Sequence, residues 1–446
     1  EGVTVRNTFW ISNTIQATID TSKTPLTAVA AHDDITHVAA DRVIEQSPPP
    51  EGDRLQTTQH HTLGEYTYGL TQIDAPTAWE RFNVSGEGVN VTVIDTGVST
   101  AHPDITLNDG RAANNYAGGW AVFNRSTDTE NGYENFEGPP ATPPQDDGPS
   151  GHGTHVSGTV VGGNATGTHI GVAPNATLQH ALVFDYYSSG TVFGASRSDT
   201  IRAIEWAITN DADIISLSLG STAYDGQYID PIDNARASGV VVLAAAGNEG
   251  NGTTITPGAV ANATAVGAST EAGGIASFSS GERYDPEDKF GAAASEWDDS
   301  LVTPYVAAPG DDISSADETG SDLTGKSGTS MATPHVAGAT ALLLDNNPTL
   351  TPTQVDRVLS AGAVHPDGYT TRNTRSGYGI INVTTSLTHS EPNGYLTVAN
   401  GSVNATTVTG DPLVATVNVT NLNLVGDAAA RNVTFSVNGS VVDHEE

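Results

Sequence analysis

Four short apolar runs, Val91–Ile94, Leu178–Val183, Ile214–Leu217 and Val240–Ala245, punctuate the middle of the chain. Polar residues do not alternate through them, and β-branched side chains are common. Strands covered on both faces, as in a parallel sheet, carry that pattern. Between the runs lie segments with helical spacing: His152–Gly162, Ser198–Asn210 and Pro231–Ser238. A shorter helix is expected over Ala75–Arg81, after Tyr68-Gly69-Leu70. The longest apolar run, Val336–Leu344, reads as a buried helix. Strands that alternate with helices predict an α/β fold, a doubly wound and mostly parallel sheet. Ligands of such sheets lie beyond the carboxyl ends of the strands, and Asp95 ends the first one.

The pattern changes at both ends of the chain. Over residues 1–46, Phe9-Trp10-Ile11, Ala17-Thr18-Ile19 and Ile35-Thr36-His37-Val38 read as short strands, and Pro25 to His32 as a short helix. A polar stretch with Pro48-Pro49-Pro50 fills 47–65 and predicts an exposed linker. The α/β domain is expected over 66–388. From 392 to 446, Thr397–Asn400, Val414–Val419 and Val433–Val437 alternate apolar and polar residues, with turn residues such as Asn438-Gly439 between them. This predicts the opening strands of an immunoglobulin-like β-sandwich, cut short before it closes.

Composition narrows the setting. Lys and Arg together number 17 and Asp and Glu 52, a net charge of −35 over 446 residues. Lysine occurs only at 23, 289 and 326. Such an acidic chain repels nucleic acids and anionic membranes. The scarcity of lysine beside the excess of acid predicts a halophilic protein, kept soluble in strong salt by hydrated carboxylates. There is no cysteine and hence no disulfide framework. No apolar run approaches the roughly 20 residues that span a bilayer. The first residue is Glu1, not methionine, and we expect a fragment of a longer secreted precursor. Asn-x-Ser/Thr sequons such as Asn83-Val84-Ser85 permit glycosylation outside the cell.

The chemistry is concentrated in three segments. In Gly328-Thr329-Ser330-Met331-Ala332-Thr333-Pro334-His335-Val336-Ala337-Gly338, a serine stands just ahead of the buried helix. A helix start offers unpaired N–H groups and a positive dipole end to an oxyanion. The other segments are Val91-Thr92-Val93-Ile94-Asp95-Thr96-Gly97-Val98 and Gly151-His152-Gly153-Thr154-His155-Val156-Ser157-Gly158. Asp, His and Ser in that order resemble the subtilisin-like serine endopeptidases, the subtilases. With the acidic composition, the resemblance is to the halolysin-like, haloarchaeal type.

The resemblance implies roles. Ser330 would be the nucleophile and His152 the general base, with Gly151 and Gly153 leaving space for the substrate backbone. Asp95 would orient His152. Asn248, in Ala246-Gly247-Asn248-Glu249-Gly250, would supply an oxyanion-hole N–H. Ser218-Leu219-Gly220 would pair with an extended polypeptide substrate, and Thr256-Pro257-Gly258 would flank the primary specificity pocket, with an apolar or broad preference. His155 and His335 are assigned to packing, while His102, His169 and His180 carry no motif. Residues 1–46 resemble the second half of an inhibitory α+β propeptide, so the enzyme's own propeptide is an expected partner. A monomer is expected, and no organic cofactor.

Subtilases commonly bind structural calcium, and Asp104 matches a family ligand, although Asn164 falls one residue early of the asparagine expected at position 165. Asp146-Asp147, Asp285 to Asp288 and Asp298-Asp299 are further acidic clusters. Two insertions, Asn108–Gly148 and Gly281–Leu301, read as surface loops. The rival readings are an idle surface-binding or scaffold protein on the same fold, and the acidic Ser-Glu-Asp branch of the superfamily. The complete set Ser330, His152, Asp95 and Asn248 argues against the first, and His152 between its glycines against the second.

Overall fold

The computed structural model describes residues 2–45, 64–105, 119–123, 144–148, 150–187, 192–368, 371–390, 433–437 and 440–445. Its centre is a parallel sheet of seven strands. In chain order these are β4 (Asn90–Asp95), β5 (Trp120–Val122), β6 (Thr177–Leu182), β9 (Ile214–Leu217), β10 (Val241–Ala245), β11 (Thr264–Ser269) and β14 (Val306–Pro309). In space the order is β14-β11-β10-β9-β4-β6-β5. The chain leaves β4 towards β6, then returns to β9 on β4's other side. The strand order therefore reverses between β4 and β9, and a crevice opens at their carboxyl ends, where doubly wound sheets bind ligands.

Side chains alternate across this sheet. Val241 and Leu243 enter one core, while Val242 and Ala244 enter the other. The first core packs α3 (Ala75–Phe82), α4 (His152–Val161), α8 (Thr329–Asn346), α9 (Pro352–Gly362) and α10 (Val383–Ser390). The second packs α5 (Arg197–Thr209) and α6 (Ile229–Ala237). Helix α8 is buried along nearly its whole length, as the apolar run Val336–Leu344 predicts.

Three details depart from the sequence reading. The N-terminal hairpin pairs β1 (Val3–Phe9) with β2 (Thr14–Ile19), so Trp10 and Ile11 lie in its turn. Helix α1 covers only Leu26–Ala30, and Ile35–Val38 forms no strand. Extended chain needs an edge to pair with, and the available edge is reached later. There β3 (Val43–Glu45) runs antiparallel to β8 (Val192–Ser196), which pairs in turn with β7 (Phe184–Tyr187). Parts of residues 2–45 lie against α5 and α6. Phe9, Ile11 and Ile44 are buried in the second core, the Ile11 N–H donates to Glu205 Oε1 at 2.9 Å, and Asn234 Nδ2 donates to the Ile11 carbonyl at 2.6 Å.

Neither insertion is wholly surface loop. Trp120-Ala121-Val122 inside the first becomes the buried edge strand β5. The second forms a hairpin of β12 (Arg283–Tyr284) with β13 (Leu301–Val302), holding α7 (Pro286–Phe290). Asp285 caps α7, accepting from Glu287 and Asp288 N–H, which is an ordinary capping role for an acidic cluster. At the C-terminal end, β17 (Val433–Val437) pairs antiparallel with β18 (Ser440–Glu445). The other strands expected there lie outside the described residues, as do the linker up to residue 63 and positions 108–118 and 124–143 of the first insertion.

Candidate active site

Every proposed site residue apart from Asp104 stands at the crevice side of the sheet. Asp95 ends β4, Ser218 follows β9, Asn248 follows β10, and His152 and Ser330 open α4 and α8. Asp95 is fully buried. Its Oδ1 accepts the Thr96 N–H at 2.7 Å and faces His152 Nδ1 at 2.8 Å. A carboxylate can only accept, so Nδ1 carries the proton and Nε2 keeps a lone pair towards the crevice. Burial pulls the His152 pKa down, but the charge and hydrogen bond of Asp95 outweigh it, and the net shift is upward from 6.5. Asp95 Oδ2 is buried without a hydrogen-bond partner among the described residues.

The two glycines around His152 make room for the protein itself and not, as expected, for substrate. A Cβ on Gly153 would lie 2.1 Å from the Gly97 carbonyl oxygen. Gly151 has φ +61°, and a Cβ there would strike the Glu318 carboxylate. The Gly153 contact seats the first turn of α4 directly on the loop that follows Asp95, and the Gly151 contact sets it against Glu318.

Ser330 occupies the first turn of α8, which begins at Thr329. Its hydroxyl donates to the Ser218 carbonyl at 3.1 Å, and Ser218 Oγ donates back to the Ser330 carbonyl at 2.8 Å. Among the described residues the Ser330 hydroxyl thus bonds to Ser218 and not to His152. Such catalytic contacts commonly tighten only when substrate arrives. Asn248 Oδ1 accepts from Thr329 N–H at 2.8 Å and from Thr329 Oγ1 at 3.0 Å, while Gly247 N–H donates to Thr329 Oγ1 at 3.1 Å. A backbone N–H can bond only to the amide oxygen, which settles which way the Asn248 amide points. Its N–H₂ group is left for the crevice, on the same side as the start of α8.

Sequence reasoning missed three contributors. Thr329 orients Asn248, as just described. Asp146, in the first insertion, accepts from Thr96 Oγ1 at 2.8 Å and Gly148 N–H at 3.0 Å through Oδ1, and from Thr154 N–H at 2.8 Å and Thr154 Oγ1 at 2.7 Å through Oδ2. Thr96 Oγ1 in turn accepts from Gly153 N–H at 2.8 Å. Asp146 therefore braces the Asp95 loop against α4, a different use from the calcium cluster considered for it. His180, which carries no motif, accepts the Gly97 N–H at Nε2 (3.1 Å) and bonds Ser157 Oγ at Nδ1 (3.1 Å). Burial pulls its pKa down to about 4, so it is neutral at pH 7 and able to accept. No sequence signal gives His180 or Asp146 these roles, because their partners come from other elements. His155 and His335 are buried against backbone carbonyls, His155 on Ile313 and Thr324 and His335 on Met331, consistent with packing.

As placed, Asp104 does not fit a cation. Its Oδ1 accepts from the N–H groups of Ala165 and Thr166, and its Oδ2 from Thr166 Oγ1 and N–H. These donors turn their positive ends towards the carboxylate, where a metal would compete with them. No group of three or more His, Cys, Asp or Glu is arranged to hold a metal among the described residues.

Comparison with known proteins agrees with the geometry. The subtilase family model matches residues 86–379. Subtilisin E of Bacillus subtilis (strain 168) is 38% identical over 333 residues, 73% of this chain and 73% of that protein. Subtilisin of Bacillus pumilus is 38% identical over 320 residues, 71% of this chain and 96% of that protein. Subtilisin Savinase of Lederbergia lenta is 35% identical over 288 residues, 65% of this chain and 87% of that protein.

Proposed function

Because the chain belongs to the subtilase family, and so is a subtilisin-like serine endopeptidase, we propose that Ser330, His152, Asp95 and Asn248 carry its hydrolysis of peptide bonds. The observation that supports this best is the 2.8 Å contact of His152 Nδ1 with buried Asp95, at the crevice that also holds the start of α8. Ser330 Oγ attacks the scissile carbonyl while His152 Nε2 takes its proton. Asn248 Nδ2 and backbone N–H groups at the start of α8 receive the oxyanion. Asp95 stabilises the imidazolium, which then returns the proton to the leaving amine, and water reverses the sequence on the acyl-enzyme. Ser218-Leu219-Gly220 offers backbone to an extended substrate.

We further assign residues 1–46 as the enzyme's inhibitory pro-segment. We also read the protein as a secreted, salt-adapted monomer. The docking of Phe9, Ile11 and Ile44 on the catalytic fold supports the first assignment, and the charge of −35 supports the salt adaptation.

A fluorophosphonate reagent should label Ser330 in the wild type and leave Ser330→Ala unlabelled. Turnover should fall by roughly 10⁶ in either Ser330→Ala or His152→Ala, and by roughly 10²–10³ in Asn248→Ala, magnitudes carried over from subtilisin itself. Labelling that survives in Ser330→Ala, or an active His152→Ala enzyme, would end the assignment.

A further inference from the structure

The segment that leads into Ser330 also holds the approach to His152. β15 (Ile313–Ala316) and β16 (Leu323–Lys326) form an antiparallel hairpin packed on α4. His155 Nε2 bonds the Ile313 and Thr324 carbonyls at 2.8 and 3.1 Å, and Ser315 Oγ donates to the His155 carbonyl at 2.9 Å. In the turn between the strands, the Glu318 carboxylate stands where a Gly151 Cβ would be. β16 ends at Lys326, four residues before Ser330, and Lys326 Nζ donates to the Ser150 carbonyl at 2.6 Å. Ser150 is itself two residues before His152. Lysine is scarce in this chain, and the other two sit on carboxylates, Lys23 on Asp20 at 2.9 Å and Lys289 on Glu282 at 3.2 Å. Lys326 instead grips the backbone that opens α4.

On the reading that His152 is the base and Ser330 the nucleophile, this bond joins the two segments whose relative position sets the reaction. We propose that Lys326 is a positioning residue with two effects: its bond to Ser150 ties the loop before His152 to the strand before Ser330, and its ammonium offsets the carboxylates around the imidazole. The charged groups that act on His152 come from three places, Asp95 on β4, Lys326 on β16 and Asp146 in the first insertion. His155, one turn along α4, is pushed down to about 3 by burial and is neutral. Burial disfavours the imidazolium and Asp95 favours it; Lys326 then acts against it and Asp146 for it. The lysine thus keeps more of the base neutral at a given pH than the carboxylates alone would allow. Burial lowers the pKa of Lys326 itself, while Glu318, Asp317 and Asp146 favour its charged form. Partly buried charges are screened much less than exposed ones, so the effect persists in strong salt.

The test compares Lys326→Met, Lys326→Gln and Lys326→Arg with the wild type, in molar salt, through pH profiles of kcat and kcat/KM on one peptide 4-nitroanilide. Methionine removes the bond and the charge, glutamine removes the charge and keeps a donor, and arginine keeps both. A misplacement of about 1 Å costs on the order of 10²-fold, and Asp95 still holds the ring, so kcat of Lys326→Met on the alkaline plateau should fall about tenfold with KM changed less than about twofold. Lys326→Arg should recover most of that loss. Removing the cation raises the pKa of His152, so in both Lys326→Met and Lys326→Gln the acid limb should move to higher pH. The ratio of kcat/KM on the plateau to that at about pH 6 should then rise by at least about twofold, while Lys326→Arg leaves it in place. A merely structural brace would lower the plateau without moving the limb. Should Lys326→Met fail to fold, Lys326→Gln still reads the limb. A limb unmoved or displaced downward in the folded, fluorophosphonate-labelled variants, or a plateau kcat of Lys326→Met equal to the wild type's, overturns the proposal. Absence of fluorophosphonate labelling at Ser330 in the wild type overturns instead the parent reading, and this one with it.

Discussion

At His152 two opposing effects meet. Burial favours the neutral imidazole, and the negative charge around it favours the cation; the second prevails. As a base His152 must be neutral, so activity should fall as pH falls through a pKa above 6.5. Asp146 adds to the upward push after Asp95, and unlike Asp95 it makes no direct contact with the ring. It is a positioning residue, and its own carboxyl is pushed up by burial against the hydrogen bonds from Thr154, Thr96 and Gly148. Asp146→Asn keeps the shape and removes the charge. The acid limb of kcat/KM should then move to lower pH. A purely structural brace would lower turnover and leave the limb in place, so an unmoved limb, or one displaced upward, would refute the electrostatic part of its role.

Among elements, the pairing of β3 with β8 has the clearest consequence. β8 runs directly into the N-terminus of α5, where Ser198 N–H and Oγ donate to Asp41 at 3.2 and 2.6 Å. Arg197 Nη1 meets Asp225 at 2.7 Å, and its other nitrogen donates to the Ala40 carbonyl. The chain before residue 46 is thus held at a strand edge and a helix cap together. Cleavage by the enzyme itself should occur after this anchored stretch, between about Gln46 and Glu65. N-terminal sequencing of the wild type should find the new end there, and Ser330→Ala produced alone should keep Glu1 to Glu65. A mature end upstream of Asp33, or normal processing of Ser330→Ala without added protease, would refute the assignment of residues 1–46.

The whole molecule is governed by its charge. Among the ion pairs, those of Arg197, Arg202 and Arg236 have arginine side chains only 9, 13 and 10% exposed, so these cations serve the interior. They do little to neutralise the acidic surface that gives the net −35. At about 0.01 M salt the Debye length is roughly 30 Å, comparable to a domain, and carboxylates repel across it; at 1 M it is about 3 Å. The melting temperature should therefore rise between those concentrations, measured with calcium buffered throughout. A melting temperature unchanged or higher in dilute salt would show that the acidity is not an adaptation to salt.

The sequence alone determined the parts in which neighbours along the chain do the work. The short, β-branched apolar runs at 91–94 and 214–217 read as strands covered on both faces, and the longer Val336–Leu344 as a buried helix, and so they are. The segments around Asp95, His152 and Ser330 were legible because each contains its own local geometry, a strand end or a helix start. Tertiary structure decided whatever depends on residues distant in sequence. Trp120–Val122 is a strand because β6 offers an edge, and Ile35–Val38 is not because none is offered. Asp146 and His180 join the site through contacts 50 and 83 residues away, to Thr96 and Gly97. Ile255 packs against both Gly220 and Gly247 only because the fold brings the segments after β9 and β10 side by side. Periodicity reports which face of an element is buried; what lies against that face is set by packing, and a linear pattern does not encode it.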